Sequence, residues 1–290
     1  MENESQKSIW SMQKGTTTMF LAEVIGTAVL LFLGCMGSVG SMQSPIPTQL
    51  QMSVAFGMTV NVLIMMLGHI SGAHFNPAVT IGSVIVGIKT IPTGIVYIVG
   101  QFIGAVLGFG MLTVVTPPEL LHAGNPSATS NFCVTAVYEG VSSVQAILIE
   151  MVCTSVILCT ACATWDPRCA NVADSMAIKF GFAVVGISAA AAPYTGCSMN
   201  PARSFAPALF LGNWKDQWIY WFGPTAGAFL GSYTYQLLFL EKEPNMTGDE
   251  HTFIEMNSRN SARSMYPEHD DNINPPKENI KVESLEVVQA

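Results

Sequence analysis

Long apolar runs separated by short polar stretches dominate residues 18–240 of the chain. Six of them reach or approach the roughly 20 residues that an α-helix needs to cross a bilayer, and they occupy 19–41, 48–68, 95–115, 144–164, 176–193 and 218–240. The fifth run is the shortest, and Lys179 near its start can extend its ammonium group to the lipid headgroups. The pattern predicts an all-α membrane protein with six transmembrane helices.

Two further apolar pieces, 76–86 and 200–211, are too short to cross. Each opens on the tripeptide Asn-Pro-Ala, in which Asn suits a helix cap and Pro suits the first helical turn. A half-spanning re-entrant helix is tolerated inside a membrane where its free backbone ends are buried in protein or line a water-filled cavity. We therefore predict two half-helices that face each other and form a pore, headed by Asn76, Pro77, Ala78, Asn200, Pro201 and Ala202.

The two halves of this region repeat. Glu23 in the first span matches Glu150 in the fourth, and Phe56 matches Phe180. Three spans per half is an odd number, so the second copy is inverted across the membrane, which places a shared site near the midplane. We predict a channel domain at 18–240, with repeats at about 18–115 and 144–240, after a cytosolic segment at 1–17 and before a tail at 241–290.

Glycines recur every fourth residue in the last span of each repeat. They stand at Gly100, Gly104 and Gly108, and the same spacing returns at 223, 227 and 231. Stripes of small residues let helix backbones approach closely in membranes. We therefore expect close backbone packing of spans 3 and 6.

Composition and charge fit this organisation. Hydrophobic residues make up 50% of the chain and charged residues 11%, against roughly 25% charged residues in a soluble domain. Residues 18–240 hold 12 of the 32 charged residues, while 241–290 holds 11 acidic and 5 basic ones. The net charge of −8 is thus mainly a property of the tail, which we expect to be solvated and disordered. No basic patch indicates nucleic acid as a partner.

The distribution of Lys and Arg predicts the orientation. The loops after spans 1 and 3 contain neither residue type, whereas Lys7, Lys14, Lys89 and Arg168 share the other side if both termini are cytosolic. Two residues depart from this pattern: Lys215, which would lie in an outer loop, and Arg203, which lies in the second half-helix rather than in a loop. Acidic residues and Lys7 precede the first apolar run, so we expect no cleavable signal peptide.

Four cysteines lie within apolar runs, at Cys35, Cys153, Cys159 and Cys162. The last two have C-x-x-C spacing, but no second pair or nearby His accompanies them. We expect these four side chains to be buried small hydrophobes rather than metal ligands.

The two Asn-Pro-Ala stretches, at 68–80 and 194–208, resemble the aquaporin family of major intrinsic proteins closely. The resemblance covers about residues 18–240. It implies a passive channel rather than an enzyme, with no cofactor and with water and small uncharged solutes as its cargo. It also implies a homotetramer in which each chain holds its own pore.

The family also implies a mechanism at the midplane. Each half-helix would point its positive N-terminal end at the centre of the pore, and Asn76 and Asn200 would offer side-chain N–H groups to a passing solute. In aquaporin-type pores, these donors and positive ends are the accepted reason why protons and cations do not pass.

By the same resemblance, the narrow aromatic/arginine constriction maps onto four residues. Arg203 is the strongest candidate, because a guanidinium at membrane depth is costly and indicates function. It follows Asn200 by three residues and Cys197 precedes Asn200 by three, whereas the other two members lie on predicted spans, at Phe56 and Ser188.

Ser188 departs from the pattern of strict water channels, which usually place His there. Serine is smaller, so we expect a wider and less polar opening that admits glycerol, water and urea. In this respect the chain resembles the insect glycerol-permeable channels called entomoglyceroporins. Other positions resemble the water-specific branch, so a water-selective pore stays as an alternative; these are Ser204, Ala208, Tyr220 and Trp221.

Glu23 and Glu150 lie inside the membrane, where acids often serve proton relays. A matched pair without a Lys or His partner at helical spacing favours a structural role, and the family implies that each accepts hydrogen bonds from the loop that carries a half-helix. His74 can line the inner vestibule or be packed.

A proton-coupled transporter and a junctional membrane protein are the rival functions. We expect a multi-pass protein of the plasma membrane.

Overall fold

The structure, a computed structural model, describes residues 4–39, 47–121 and 132–240. Those residues contain helices and connecting loops, and no strand occurs among them. The predicted acidic tail at 241–290 lies outside the described residues, so its predicted disorder stays a prediction. The described ranges contain nine α-helices with these bounds: α1 Glu4–Met36, α2 Gln49–Ser71, α3 Pro77–Ile85, α4 Ile91–Val115, α5 Pro118–Leu121, α6 Ser143–Trp165, α7 Met176–Thr195, α8 Pro201–Leu211 and α9 Ile219–Thr234.

Six of these helices correspond to the six predicted spans. Five of the described spans are long and apolar enough to cross a bilayer. Four lie within α1, α2, α4 and α6, and the fifth consists of α7 and the 3-10 helix before it, Pro167–Ser175. The sixth, α9, has 16 residues and continues into a five-residue π-helical turn, Tyr235–Phe239. The fifth span, the shortest run in the sequence, is long enough to cross, because α7 alone has 20 residues.

The first helix differs from its prediction at both ends. It begins at Glu4, so part of the predicted cytosolic segment at 1–17 is helical, and it ends at Met36 rather than at residue 41. The sequence after Met36 contains two glycines and three serines before Pro45, and this composition favours turns over helix.

Two short helices, α3 and α8, form the predicted re-entrant pieces. Each begins at the Pro of its Asn-Pro-Ala motif, one residue later than predicted, because the Asn has extended backbone and acts as the N-cap. Asn76 accepts a hydrogen bond from the backbone N–H of Ala78, and Asn200 accepts two from the first turn of α8. The caps thus define where both half-helices start.

The glycine stripes bring helices of the same repeat together. A methyl group added at Gly104 would collide with the Val24 carbonyl of α1, and one added at Gly227 would meet the Met151 carbonyl of α6 at 2.5 Å. Spans 3 and 6 therefore pack closely as predicted, and the partner of each is the first helix of its own repeat. The two repeats meet along α2 and α7.

Two apolar clusters fill the spaces between these helices. One joins α1, α2 and α4 to the half-helix α8, with Leu31, Leu63 and Phe109 fully buried. The other joins α6 and α7 to the half-helix α3, with Leu158 fully buried. Each half-helix is thus packed against the transmembrane helices of the opposite repeat, which fixes its position at membrane depth.

One cysteine expectation is wrong. Cys35 is fully buried, but it is not a free thiol: it forms a disulfide with Cys133, whose Cα atom lies 5.4 Å away. The bond joins the end of α1 to the segment between α5 and α6. Cys162 is buried and free as expected, whereas Cys153 and Cys159 are free but only half-buried.

A polar cluster ties the end of α6 to the end of the sixth span. The Asp166 carboxylate accepts hydrogen bonds from Arg168 Nε at 2.9 Å and Nη2 at 2.6 Å and from the Tyr235 hydroxyl at 2.9 Å. Arg168 also donates to the Phe239 carbonyl. The Arg168 guanidinium, the largest influence, holds the pKa of Asp166 well below its usual range.

Candidate pore and its constriction

The two Asn-Pro-Ala motifs contact each other through a reciprocal exchange of hydrogen bonds. Asn76 Nδ2 donates to the Met199 carbonyl at 2.8 Å, and Asn200 Nδ2 donates to the Phe75 carbonyl at 2.9 Å. A carboxamide has two N–H groups. Each Asn therefore caps its own helix, binds the opposite repeat and keeps one N–H for a ligand.

The segments that lead into the motifs have the same unusual backbone in both repeats. Ala73 and Phe75 have positive φ angles of 53° and 49°, and Cys197 and Met199 have 47° and 51°. Non-glycine residues rarely adopt this left-handed conformation, and it is costly unless surrounding contacts enforce it. In such a loop, successive carbonyl and N–H groups point away from the helical direction and become available to other partners.

Two buried carboxylates supply those partners. Glu23 accepts hydrogen bonds from the backbone N–H groups of His74 at 3.0 Å and Phe75 at 2.8 Å, and from the side chains of Ser71 and Gln101 at 2.7 Å each. Its oxygens are thus occupied by four donors. The carboxylate holds the first approach loop in its left-handed conformation.

Glu150 repeats this arrangement in the second half. It accepts hydrogen bonds from the backbone N–H groups of Ser198 at 2.9 Å and Met199 at 2.8 Å, and from the Thr195 hydroxyl at 2.7 Å. The position equivalent to Gln101 is Pro224, which has no donor, so the two sites differ by one hydrogen bond.

Further pairs extend the symmetry. The Tyr97 hydroxyl donates to the Ser71 carbonyl at 2.6 Å, and the Tyr220 hydroxyl donates to the Thr195 carbonyl at 2.9 Å. These bonds satisfy the last carbonyls of α2 and α7, which have no partner within their helices. The loop between each transmembrane helix and its half-helix is thereby held by the buried carboxylate and by the tyrosine hydroxyl.

A cavity of about 660 Å³ runs past the paired asparagines and is lined by both repeats. It includes all four residues of the predicted constriction. The Arg203 guanidinium carbon lies 4.7 Å from the centre of the Phe56 ring, and its Nη1 donates to the Cys133 carbonyl at 2.7 Å. Ser188 and Cys197 line the same cavity.

Two features of the constriction have no counterpart in the sequence analysis. Ser53 donates from its hydroxyl to Ser188 Oγ at 3.1 Å, so position 188 presents a pair of small hydroxyls rather than one. The second feature is the acceptor of Arg203, which is the backbone carbonyl oxygen of Cys133. Ser53 and Phe56 lie three residues apart and therefore share one face of α2. This spacing is the signal that could have identified Ser53.

The other end of the cavity is lined by His74 and Trp165, whose rings lie 5.8 Å apart. His74 Nδ1 is bonded to the Thr80 hydroxyl at 3.1 Å, while Nε2 is buried and has no partner. His74 is therefore both packed and part of the lining. Within the described ranges, no group of three or more His, Cys, Asp or Glu side chains could hold a metal ion.

The sequence matches the profile of the family described as Major intrinsic protein over residues 10–235. It is 37% identical over 236 residues to aquaporin-4 of Homo sapiens, which covers 80% of this chain and 70% of that protein. It is 36% identical over 218 residues to aquaporin-2 of Rattus norvegicus, which covers 75% and 77% of the two chains.

Among solved structures, the chain resembles the aquaglyceroporin from Plasmodium falciparum with a TM-score of 0.67 and 21% identity, over 77% of this chain and 96% of that one. This likeness shows a shared fold. It confirms the predicted architecture of six helices and two half-helices, and the sequence matches confirm the resemblance. The chain therefore belongs to the major intrinsic protein family and is an integral, multi-pass membrane channel of the aquaporin type rather than an enzyme.

Proposed function

We propose that this channel conducts glycerol, water and urea passively through the cavity between the two repeats. The observation that carries the proposal is the wall at position 188. Ser188 and Ser53 place two small hydroxyls in the constriction that also holds Phe56 and Arg203. An imidazole at this position would occupy space that the serine side chain leaves free.

The lining suits a molecule that is polar on one side and apolar on the other. Arg203 and the two asparagines supply N–H donors, whereas Phe56, Val60 and Ile64 of the cavity wall follow one another at helical spacing on α2. Glycerol presents hydroxyls along one edge and CH groups along the other. Its hydroxyls would bind the donors while its CH groups pass along the α2 face.

Exclusion of protons follows from the midplane. The free N–H of Asn76 and that of Asn200 would both turn a central water oxygen toward the half-helix ends. Such a water donates outward in both directions, which interrupts the chain of hydrogen bonds along which a proton would move. The positive ends of α3 and α8 and the Arg203 guanidinium add an electrostatic barrier to cations, as in other aquaporin-type pores.

The proton-coupled alternative requires an acid that releases and binds protons during transport. Glu23 and Glu150 are fully buried, and each accepts backbone N–H bonds that fix an approach loop. Protonating either carboxylate would weaken these bonds. Their contacts therefore favour the structural role and a passive channel.

The water-selective alternative rests on residues that resemble the water-specific branch. Among the described residues, the cavity lining does not include them, whereas it does include Ser188. Tyr220 bonds the end of α7, and Ser204 bonds Ser198 and Thr135. These side chains belong to the scaffold behind the pore, so they bear less directly on which solute passes.

We further propose that both termini are cytosolic, that the channel resides in the plasma membrane and that it assembles as a homotetramer. The disulfide supports the orientation, because disulfides persist in oxidising compartments and Cys35 and Cys133 lie toward the side that carries few Lys and Arg residues. The family resemblance supports the tetramer.

The test is a comparison of water, glycerol and urea fluxes in liposomes that contain the purified protein, measured by stopped-flow light scattering. We expect all three fluxes to exceed those of empty liposomes, with no current and no dependence on a pH gradient. Water flux without glycerol flux would establish the water-selective alternative. Accumulation of glycerol above equilibrium, driven by a pH gradient, would establish a transporter.

A further inference from the structure

We infer that the Cys35–Cys133 disulfide determines the specificity of the pore, because it fixes the carbonyl group that positions the Arg203 guanidinium. The inference rests on the proposed role of Arg203 in the constriction. Cys133 is a positioning residue in this scheme: its carbonyl oxygen holds the side chain that meets the solute, while its sulfur is bonded to the end of α1.

Arg203 needs a fixed acceptor to stay at the wall of the lumen. Its side chain is long and flexible, and its guanidinium can donate hydrogen bonds to any acceptor within its reach. The bond from Nη1 to the Cys133 carbonyl, at 2.7 Å, is charge-assisted and therefore strong. Together with the contact to the Phe56 ring, it holds the guanidinium beside the cavity.

The Cys133 carbonyl stays in place because its segment is anchored at successive residues. Phe132 stacks on Phe109 of α4 with ring centroids 5.8 Å apart, Cys133 is bonded to Cys35, and the Thr135 hydroxyl donates to Ser204 at 2.8 Å. The disulfide is the covalent one of these anchors. It joins two residues that are 98 positions apart, so without it this point of the loop is held only by noncovalent contacts, among them the Phe132 ring packing and the Thr135 hydrogen bond.

The backbone conformation of Cys133 indicates which way its carbonyl group moves when the disulfide is opened. Its φ angle is 58°, in the left-handed region that a non-glycine residue leaves when contacts permit. Once the disulfide is open, rotation out of this region turns the carbonyl away from Arg203. The guanidinium then loses its acceptor at the wall and extends into the lumen, which obstructs a bulky solute more than water.

The first experiment opens the disulfide in channels that are already inserted in liposomes, so folding is not in question. Cys133 is among the residues that line the cavity, but both cysteines are buried, so a small water-soluble phosphine is used and the extent of reduction is measured. The phosphine supplies two electrons and becomes a phosphine oxide with an oxygen atom from water, and the disulfide becomes two thiols. Mass spectrometry of alkylated protein counts the thiols gained.

We expect reduction to lower glycerol flux per channel by at least about threefold, with a smaller change in water flux, and reoxidation to restore both. The double variant Cys35→Ser/Cys133→Ser should show the reduced-state fluxes and should not respond to the phosphine. Unchanged fluxes after verified reduction would overturn the inference.

An Arg203→Ala background separates positioning from general stability. Reduction should have no further effect on its glycerol flux, because the side chain that the carbonyl positions is absent. A fall of the same size as in the parent would overturn the inference. If the untreated parent carries no glycerol, the proposed solute is wrong and water flux becomes the readout: its fall on reduction supports the positioning role, and its constancy overturns it.

Discussion

Gly57 and Gly181 face each other across the seam between the two repeats, each against the backbone of the other. A Cβ atom placed on Gly57 would lie 2.6 Å from the Gly181 carbonyl oxygen, and one placed on Gly181 would lie 2.8 Å from the Gly57 carbonyl oxygen. Neither distance is possible without movement of a helix. Gly57 directly follows Phe56, which lines the cavity, so this close contact lies next to the pore wall.

Gly181→Ala should therefore separate α2 from α7 and destabilise the channel by about 1–3 kcal/mol, the usual cost of overpacking. Gly186→Ala is the matched control, since it lies on the same helix and an added methyl there meets nothing within 4 Å. The control should be neutral or up to about 1 kcal/mol more stable, because Ala favours helix over Gly. Thermal melting of the detergent-solubilised protein gives the comparison, and equal melting temperatures would contradict the tight seam.

Ser188→His should lower glycerol and urea flux by roughly tenfold or more, which corresponds to a barrier higher by about 1.4 kcal/mol. The imidazole would displace the Ser53–Ser188 hydroxyl pair and fill space beside Arg203. Water is small enough to pass, so its flux should change far less.

Ser188→Ala is the control for this substitution, because it removes the hydroxyl without adding volume, and it should keep most of the glycerol flux. Stopped-flow measurements must be normalised to the protein inserted in each liposome preparation. Glycerol flux in Ser188→His equal to that of the parent would remove Ser188 from the constriction.

A mercurial reagent should block transport by binding Cys197. Among the described cysteines, Cys197 is the free thiol that lines the cavity. Cys197→Ser should relieve the block. Cys159→Ser should leave it intact, because that sulfur contacts the Gly231 carbonyl in the seam between α6 and α9. Full sensitivity in the Cys197→Ser channel would place the reactive thiol elsewhere.

The Asp166 cluster predicts a dependence of stability on pH. Because its pKa is lower in the folded protein than in the unfolded chain, Asp166 contributes stability above the unfolded pKa of about 3.9 and loses it as the pH falls through the folded value. The melting temperature of the parent should exceed that of Asp166→Asn most clearly above about pH 5, and the difference should shrink below about pH 4. A constant difference down to pH 3 would show that the charge is not responsible.

The half-helices and the position of Arg203 beside the cavity could be predicted because their signals are local, and the signal of the half-helices is duplicated. Asn followed by Pro encodes a capped helix start within a few residues, and the second copy repeats it in register. Arg203 stands out because charged side chains are rare in an apolar region. Such features do not depend on knowing which distant segments meet.

The features that escaped prediction depend on distant contacts. The helical spacing of Ser53 and Phe56 could place Ser53 on the pore face of α2, but its hydrogen-bond partner Ser188 is 135 residues away and has no local signal. Cys35 lies in an apolar run, where a buried thiol is the ordinary outcome, and its partner is 98 residues away. A carbonyl acceptor such as that of Cys133 has no side-chain signature at all.

The reciprocal hydrogen bonds of Asn76 and Asn200 constrain the order in which the channel folds during synthesis. The ribosome completes Asn76 well before the Met199 carbonyl, 123 residues later, and at about 5–20 residues per second this interval lasts roughly 6–25 s. During that time, the side-chain N–H that Asn76 later donates to Met199 lacks this acceptor at membrane depth, where unsatisfied polar groups are costly. The centre of the pore therefore cannot close before the second repeat has been made as far as Met199.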